Sequence, residues 1–434
     1  MPKINLDIMD FGPINNANIE LKKLNVIAGV NGSGKTTSSK LLYCVLTSLS
    51  NEKEYLSNIG VHEKFSKIMN ELLNDLEFEQ DLLIKLNKII NSFPKLNDTS
   101  YNDKLENFIT SLKKIIDESK INNKEKYMEQ LSDIQQVLEI NRADHRKFYD
   151  VSNVLLKSEF RFKDLKLENF TVCFNEKEND CEFSCELVNN DSKLGFRITN
   201  GDSDCLNIEN IIYIDSPSIF NSDEIDSSLI LKKQSYHLRL LSRLLNIEEN
   251  NEDIHDSVFN QKLDKFKDEI ATLIGGHIFY DDGEEEFKFK KYEDEYSMRN
   301  TASGVKQLGI IQRLLSNRAL NENSFLIMDE PEVNLHPEWQ LKLAEIIVLM
   351  INELNIPLFI NSHSPHFIEA LEVYSGKYGL VDESRFYLSE ENENGKYNFR
   401  KIKRKNLNQL YDNLGKPYEI IDEIRIENVF NGIE

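Results

Sequence analysis

The spacing of apolar positions changes several times along the chain, and the changes divide it. KINLDIM (3–9) alternates and LNVIA (24–28) is a short apolar run, so both predict strands. The second run ends at GVNGSGKT (29–36), and KTTSSKLLYCVLTSLS (35–50) predicts a helix directly after it. Between 51 and 158 the period becomes helical, with Ile68, Leu72, Leu73 and Leu76 on one face and Leu105, Phe108, Leu112, Ile115 and Ile116 on another. SFPKLNDTSYN (92–102) reads as a break between helices. This stretch predicts a helical insertion, either a solvated bundle or hairpin or a surface for a partner. From about 160 to 214, LENFTVCF, CEFSCELV, LGFRIT and IENIIYID predict antiparallel strands separated by polar turns. Residues 226–274 turn helical again, with LRLLSRLL as an apolar face, and HIFYDDGEEEFKFKK predicts a hairpin turning at Asp282-Gly283.

The last third alternates helix and strand. VKQLGIIQRLL (305–315) and EWQLKLAEIIVLMINEL (338–354) have helical spacing, and NSFLIMDEP (323–331) and IPLFINSHS (356–364) are apolar runs of strand length. Such alternation predicts an α/β fold with a largely parallel sheet. Its segments are split along the chain: 1–50 is the first part, 51–158 the insertion, 159–210 an antiparallel β part and 211–375 the second part. Residues 376–434 read as a tail with a short strand (SRFYLSE), a turn at Asn394-Gly395, the basic run RKIKRK (400–405) and a final helical stretch from near Asn406. The basic run is a solvated face or a phosphate contact.

Composition narrows the class. The chain has 434 residues, 40% of them hydrophobic and 29% charged, ordinary values for a soluble globular protein. No apolar run reaches the roughly 18–20 residues that span a bilayer, and the first residues lack the pattern of a secretion signal, so a cytoplasmic, non-membrane protein is expected. The five cysteines fit that compartment; Cys181 and Cys185 have no second pair and no histidine near them in sequence, which favours ordinary reduced cysteines over a zinc site. A net charge of −22 argues against a chain that coats nucleic acid over its whole surface, but leaves room for a local basic face or a basic partner.

Four motifs carry chemistry. Gly29, Gly34, Lys35 and Thr36 complete a GxxxxGK[ST] loop between a strand and a helix, with Gly32 inside it. The loop N–H groups from Asn31, Gly32, Ser33, Gly34 and Thr37 are placed to wrap a polyphosphate, Lys35 to reach its β/γ-phosphates, and the Thr36 hydroxyl to ligate Mg²⁺. FLIMDEP delivers Asp329 to the metal from a buried strand, and Glu330 follows as the group acting on the attacking water. TASGVKQ (301–307) starts a helix, where Ser303 and Gly304 can offer a hydroxyl and N–H groups to a phosphate. INSHSPHF (360–367) places His363 at the end of an apolar strand, able to sense a γ-phosphate. ATP and Mg²⁺ are the expected cofactors.

Together these residues resemble the ABC-type ATPases, and within them the SMC/RecF-like branch, to which FGPI (11–14) is also similar. DEPEVNLHPEWQ (329–340) and NSHSPHF look most like the OLD-type and related phage-defence ATPases, including those of the Septu, Gabija and PARIS systems and of some retrons. The resemblance implies an ABC-type P-loop head with a mixed or parallel sheet and an antiparallel β lobe. It makes Ser303 and Gly304 part of a signature motif that touches the ATP of a partner subunit, so that two chains sandwich two ATPs, and it makes His363 the switch histidine. There are departures. TASGVKQ lacks the second signature glycine, and Asp215 and Ser216 stand where the family has a glutamine loop, which leaves them a magnesium or γ-phosphate role and suggests slow turnover. OLD nucleases carry a Toprim domain after the switch histidine; the residues after His366 contain no apolar strand ending in paired acids. The expectation is a homodimer or higher homo-oligomer that controls a separate nuclease or other effector, with DNA touched only indirectly. The alternatives are an SMC/RecF-like repair ATPase acting directly on DNA, and a scaffold in which ATP is only structural.

Overall fold

The computed structural model describes residues 3–50, 65, 68–73, 75, 80–90, 93, 101–119, 121, 123–140, 144–160, 171–178, 181–190, 193–201, 208–216, 219–220, 235–247, 258–281, 283–411 and 421–427. The N-terminal alternation forms β1 (Lys3–Phe11) and β2 (Ile14–Leu21), an antiparallel pair with Ile4, Leu6 and Ile8 turned to the core. β3 (Leu24–Ala28) is buried throughout and leads through the glycine loop into α1 (Lys35–Leu49). The helical stretch gives α2 (Gln80–Ile90), α3 (Tyr101–Glu118), α4 (Lys124–Ile140) and α5 (Asp144–Glu159). The predicted break at 92–102 lies mostly outside the described residues.

Three antiparallel strands follow: β4 (Thr171–Glu178), β5 (Cys181–Asn190) and β6 (Lys193–Asn200). After them comes β7 (Asn210–Ile214), which pairs in parallel with Ser324–Met328 and not antiparallel as IENIIYID was expected to, followed by α6 (Tyr236–Leu245) and α7 (Val258–Ile274). The expected hairpin is β8 (His277–Asp281) with β9 (Glu286–Lys291), and β10 (Asp294–Ser297) extends it into a small separate sheet. The last third is α8 (Ser303–Ser316), β11 (Ser324–Asp329), α9 (Pro337–Leu354), β12 (Leu358–Ser362), α10 (Pro365–Lys377), β13 (Ser384–Glu391) and β14 (Tyr397–Ile402). Proline at the first helical position starts both α9 and α10, where its missing N–H is not needed.

Among the described residues, eleven strands form one mixed sheet in the order β6-β5-β4-β1-β2-β14-β13-β3-β12-β11-β7. In its parallel part, β13-β3-β12-β11-β7, the central strands β3, β12 and β11 are buried along their whole length, as continuous apolar runs require. Residues 384–402 are not peripheral to this sheet. β13 pairs in parallel with β3 from Ser384 to Leu388, and β14 pairs with both β13 and β2, so the segment read as a tail joins the two halves of the sheet.

Two apolar cores are distinct. Phe65, Leu72, Leu86, Leu105, Phe108, Ile109, Leu112, Ile116, Tyr127 and Leu131 build one within the insertion. The last helix of that stretch belongs to the other. Phe148, Val151, Leu155 and Leu156 of α5 join the main core, and α5 packs on α1 and β6.

Candidate active site

β3, β11 and β12 end side by side, and their C-terminal ends form the floor of one cleft. Its volume is about 450 Å³, and Pro13, Asn31, Gly32, Ser33, Gly34, Lys35, Thr36, Thr37, Asp215, Asp329 and Glu330 line it. Gly34 caps α1 at φ 91°, and a Cβ there would lie 2.6 Å from Ile14 Cγ1 and 3.3 Å from Pro13 Cγ. Only glycine lets the loop turn this tightly against the β1–β2 connection. The loop is also held from β13, where the Ser389 hydroxyl donates to Ser33 Oγ at 2.7 Å.

Lys35 is buried and donates to the carbonyls of Gly29 (2.8 Å) and Val30 (2.9 Å), with Glu330 Oε1 at 3.8 Å. Burial pushes its ammonium below the ordinary value, against the pull of Glu330, Asp329 and Glu332. Asp329 is the convergence point. Thr36 donates to its Oδ2 at 2.6 Å, the Tyr213 hydroxyl to the same oxygen at 3.2 Å, and Asn361 Nδ2 to Oδ1 at 2.8 Å. Asn361 Nδ2 also donates to Ser39 Oγ on α1 at 2.6 Å.

Glu330 leaves the strand direction at once. Its φ is 51°, a left-handed conformation unusual for a residue with a Cβ, and its N–H donates to Asn361 O at 2.9 Å. The turn brings its carboxylate within 3.0 Å of His363 Nδ1. Glu332 goes inward instead, accepting from the Ser362 hydroxyl at 2.5 Å, while its Oε2 has no partner. Burial raises its carboxyl above the usual carboxylate range.

The structure thus gathers the loop residues, Asp329, Glu330 and His363 in one place. Ser303 and Gly304 stand apart from it. They open α8, whose N-cap Ala302 offers no side-chain cap, and a Cβ on Gly304 would meet Leu335, Asn334 and Trp339.

The family model for the AAA ATPase domain matches residues 3–368, which span β1 through to α10 and include every residue just placed in the cleft. The chain belongs to the AAA ATPase domain family. No curated protein sequence matches it. Solved structures similar to this AAA ATPase domain include an SMC head bound to the C-terminal winged-helix domain of ScpA (11% identity, TM-score 0.44, 93% of this chain and 98% of that one). Others are the SMC head domain from Thermotoga maritima (10%, 0.39, 93% and 99%) and the ATP-binding cassette of an ABC transporter in its ADP conformation (10%, 0.33, 98% and 99%).

The donor set of this ATPase fits a hard cation. A hydroxyl and a carboxylate, Thr36 and Asp329, stand one hydrogen bond apart at the cleft floor, the oxygen chemistry that Mg²⁺ prefers. Five contributors escape sequence reasoning: Ser39, Tyr213, Asn361, Glu332 and His237. Asn361 and Glu332 were within reach, since each lies inside a motif already singled out. Tyr213 and His237 carry no local signal. His237 is 1% exposed, with Nδ1 2.6 Å from Glu159 Oε2 and Nε2 3.0 Å from Asp215 Oδ2. Burial works to lower its pKa, but the two carboxylates beside the ring, Asp215 and the hydrogen-bonded Glu159, outweigh it and raise the value to about 9.

Proposed function

We propose that this chain is an ABC-type ATPase of the OLD-like kind that binds and hydrolyses ATP, dimerises around it, and controls a separate effector, a nuclease of a cytoplasmic anti-phage defence module. One observation carries the catalytic part: Lys35, Thr36, Asp329, Glu330 and His363, drawn from three distant segments, meet around a single cleft. Lys35 exchanges its two backbone carbonyls for phosphate oxygens, and the N–H groups of the loop hold the rest of the polyphosphate. Thr36 and Asp329 would hold Mg²⁺, which when bound neutralises phosphate charge. Tyr213 and Asn361 keep Asp329 in place. Glu330 orients the attacking water and accepts its proton, and His363 fixes the Glu330 carboxylate.

The dimer has its own support. Ser303 and Gly304 do not line the cleft of their own chain, and α8 begins without a side-chain cap, as suits a first turn that meets an anion from outside. A second copy supplies that anion as its bound ATP. The effector and the defence role rest on the resemblance of DEPEVNLHPEWQ and NSHSPHF, and on an insertion with a core of its own that can serve as a docking body. Among the described residues no helix is long and apolar enough to cross a membrane.

Phosphate release by the wild type, Lys35→Ala and Glu330→Gln tests the chemistry. Loss of the general base should lower turnover by about 10²–10⁴-fold, and Glu330→Gln should accumulate ATP-dependent dimers by light scattering. Wild-type phosphate release no higher than that of Lys35→Ala would reject the ATPase reading. Co-purification with products of neighbouring genes, in ATP and in ADP, tests the effector.

A further inference from the structure

The mechanism above leaves one buried charged cluster unused. His237 is the second residue of α6, and its imidazole is clamped between Glu159, the last residue of α5, and Asp215, which follows β7 and lines the cleft. Glu159 is as buried as the histidine, and Asp215 is partly exposed. The clamp is built into the backbone as well. Glu159 Oε1 accepts the His237 N–H at 3.1 Å, and Ser158 Oγ accepts the Tyr236 N–H at 2.6 Å, so the end of α5 caps the start of α6. The other end of α6 is fixed too. Arg313 Nε of α8 donates to Leu245 O, and Nδ2 of Asn317, which caps the end of α8, donates to Leu244 O. An imidazole held this firmly has little freedom to follow Asp215; Asp215 must follow it.

Charge gives the arrangement a purpose. Among the described residues lining the cleft, Asp215, Asp329 and Glu330 are carboxylates and Lys35 is the cation. A polyphosphate adds more negative charge and repels a carboxylate on the cleft wall, so Asp215 needs a partner behind it that holds it in place. His237 stands there. Its ring also lies 4.7 Å from the Tyr213 ring, whose hydroxyl reaches Asp329.

We propose that His237 is a positioning residue for ATP hydrolysis, which holds the Asp215 carboxylate on the cleft wall and is itself held by Glu159. The role rests on the ATPase reading above. Asp215 then presents a fixed acceptor to a water beside the phosphates, and α5 becomes a mechanical support of the cleft.

Steady-state phosphate release with Mg²⁺ and ATP tests it, on full-length chain below every variant's melting temperature. His237→Gln should lower kcat about tenfold with KM for ATP changed less than about threefold, the signature of lost positioning rather than lost ground-state binding. Asp215→Asn should give a similar loss, and the double variant little more than either single one. Glu159→Gln, which touches no cleft residue, should move kcat in the same direction, and His237→Lys should recover part of it. Unchanged kcat in folded His237→Gln and Glu159→Gln, or additive losses in the double variant, would reduce the cluster to a structural ion pair and overturn the proposal. Wild type no more active than Lys35→Ala would instead overturn the ATPase reading, and this role with it.

Discussion

At the scale of single residues the site is a contest between burial and charge. Asp329 keeps its position through donors from α1, β7 and β12, each from a different part of the chain. Glu332 shows the opposite case, with one oxygen satisfied by Ser362, the other without a partner, and a carboxyl pushed upward by burial. The sign of its pH effect follows. Below the ordinary pKa near 4.5 both folded and unfolded states hold the proton. Above it the unfolded state ionises first, so this group erodes stability as pH rises towards its folded pKa. Glu332→Gln removes the ionisation. The difference in melting temperature, variant minus wild type, should therefore rise between pH 5 and pH 8 by a few degrees for a domain of this size. A difference that stays flat or falls, measured by thermal unfolding in matched buffers, would contradict the assignment. Glu332 also marks a limit of sequence reading: the motif DEPEVNLHP names it, but adjacency cannot say that Glu330 turns to the cleft while Glu332 turns to the core. The φ of Glu330 makes that division.

At the scale of elements, what was legible is what is local. The glycine loop, the strand ending at Asp329 and the strand before His363 each announce themselves within about ten residues, through an apolar run that stops at a polar cluster. β13 does not. SRFYLSE reads only as a short strand in a tail because its partner β3 lies some 360 positions earlier, and nothing local reports that pairing. The clamp around His237 is hidden for the same reason, since Glu159 and Asp215 come from other elements. The integral place of β13 has a consequence for Tyr387, which is fully buried and exchanges hydrogen bonds with the backbone of Glu20 on β2. Tyr387→Ala should cost about 3–5 kcal/mol in denaturant unfolding, as a large core aromatic does. A cost within about 0.5 kcal/mol, typical of a surface position, would return the segment to a tail.

At the scale of the whole molecule, the two cores make a separable prediction. The insertion encloses Phe65, Leu105, Phe108, Leu112 and Tyr127 among its own helices, whereas α5 gives Phe148, Val151, Leu155 and Leu156 to the ATPase core. α5 packs on α1, and Lys40 of α1 donates to the carbonyl of Glu159 at the end of α5. The test joins residue 50 to residue 144 by a flexible linker. A chain with 51–143 replaced in this way should keep its cooperative melting transition, its nucleotide binding and basal phosphate release, while losing whatever partner the insertion serves. Extending the deletion to 158 removes the apolar face that α5 lays on α1 and β6 and unseats the cap of α6 with it. That chain should be insoluble or unfolded by circular dichroism. If both deletions behave alike, folded or unfolded, the insertion boundary does not lie between residues 143 and 144. The pair of deletions then also separates two roles of the region: partner capture in the independent helices, and support of the cleft in the one helix that returns to the sheet.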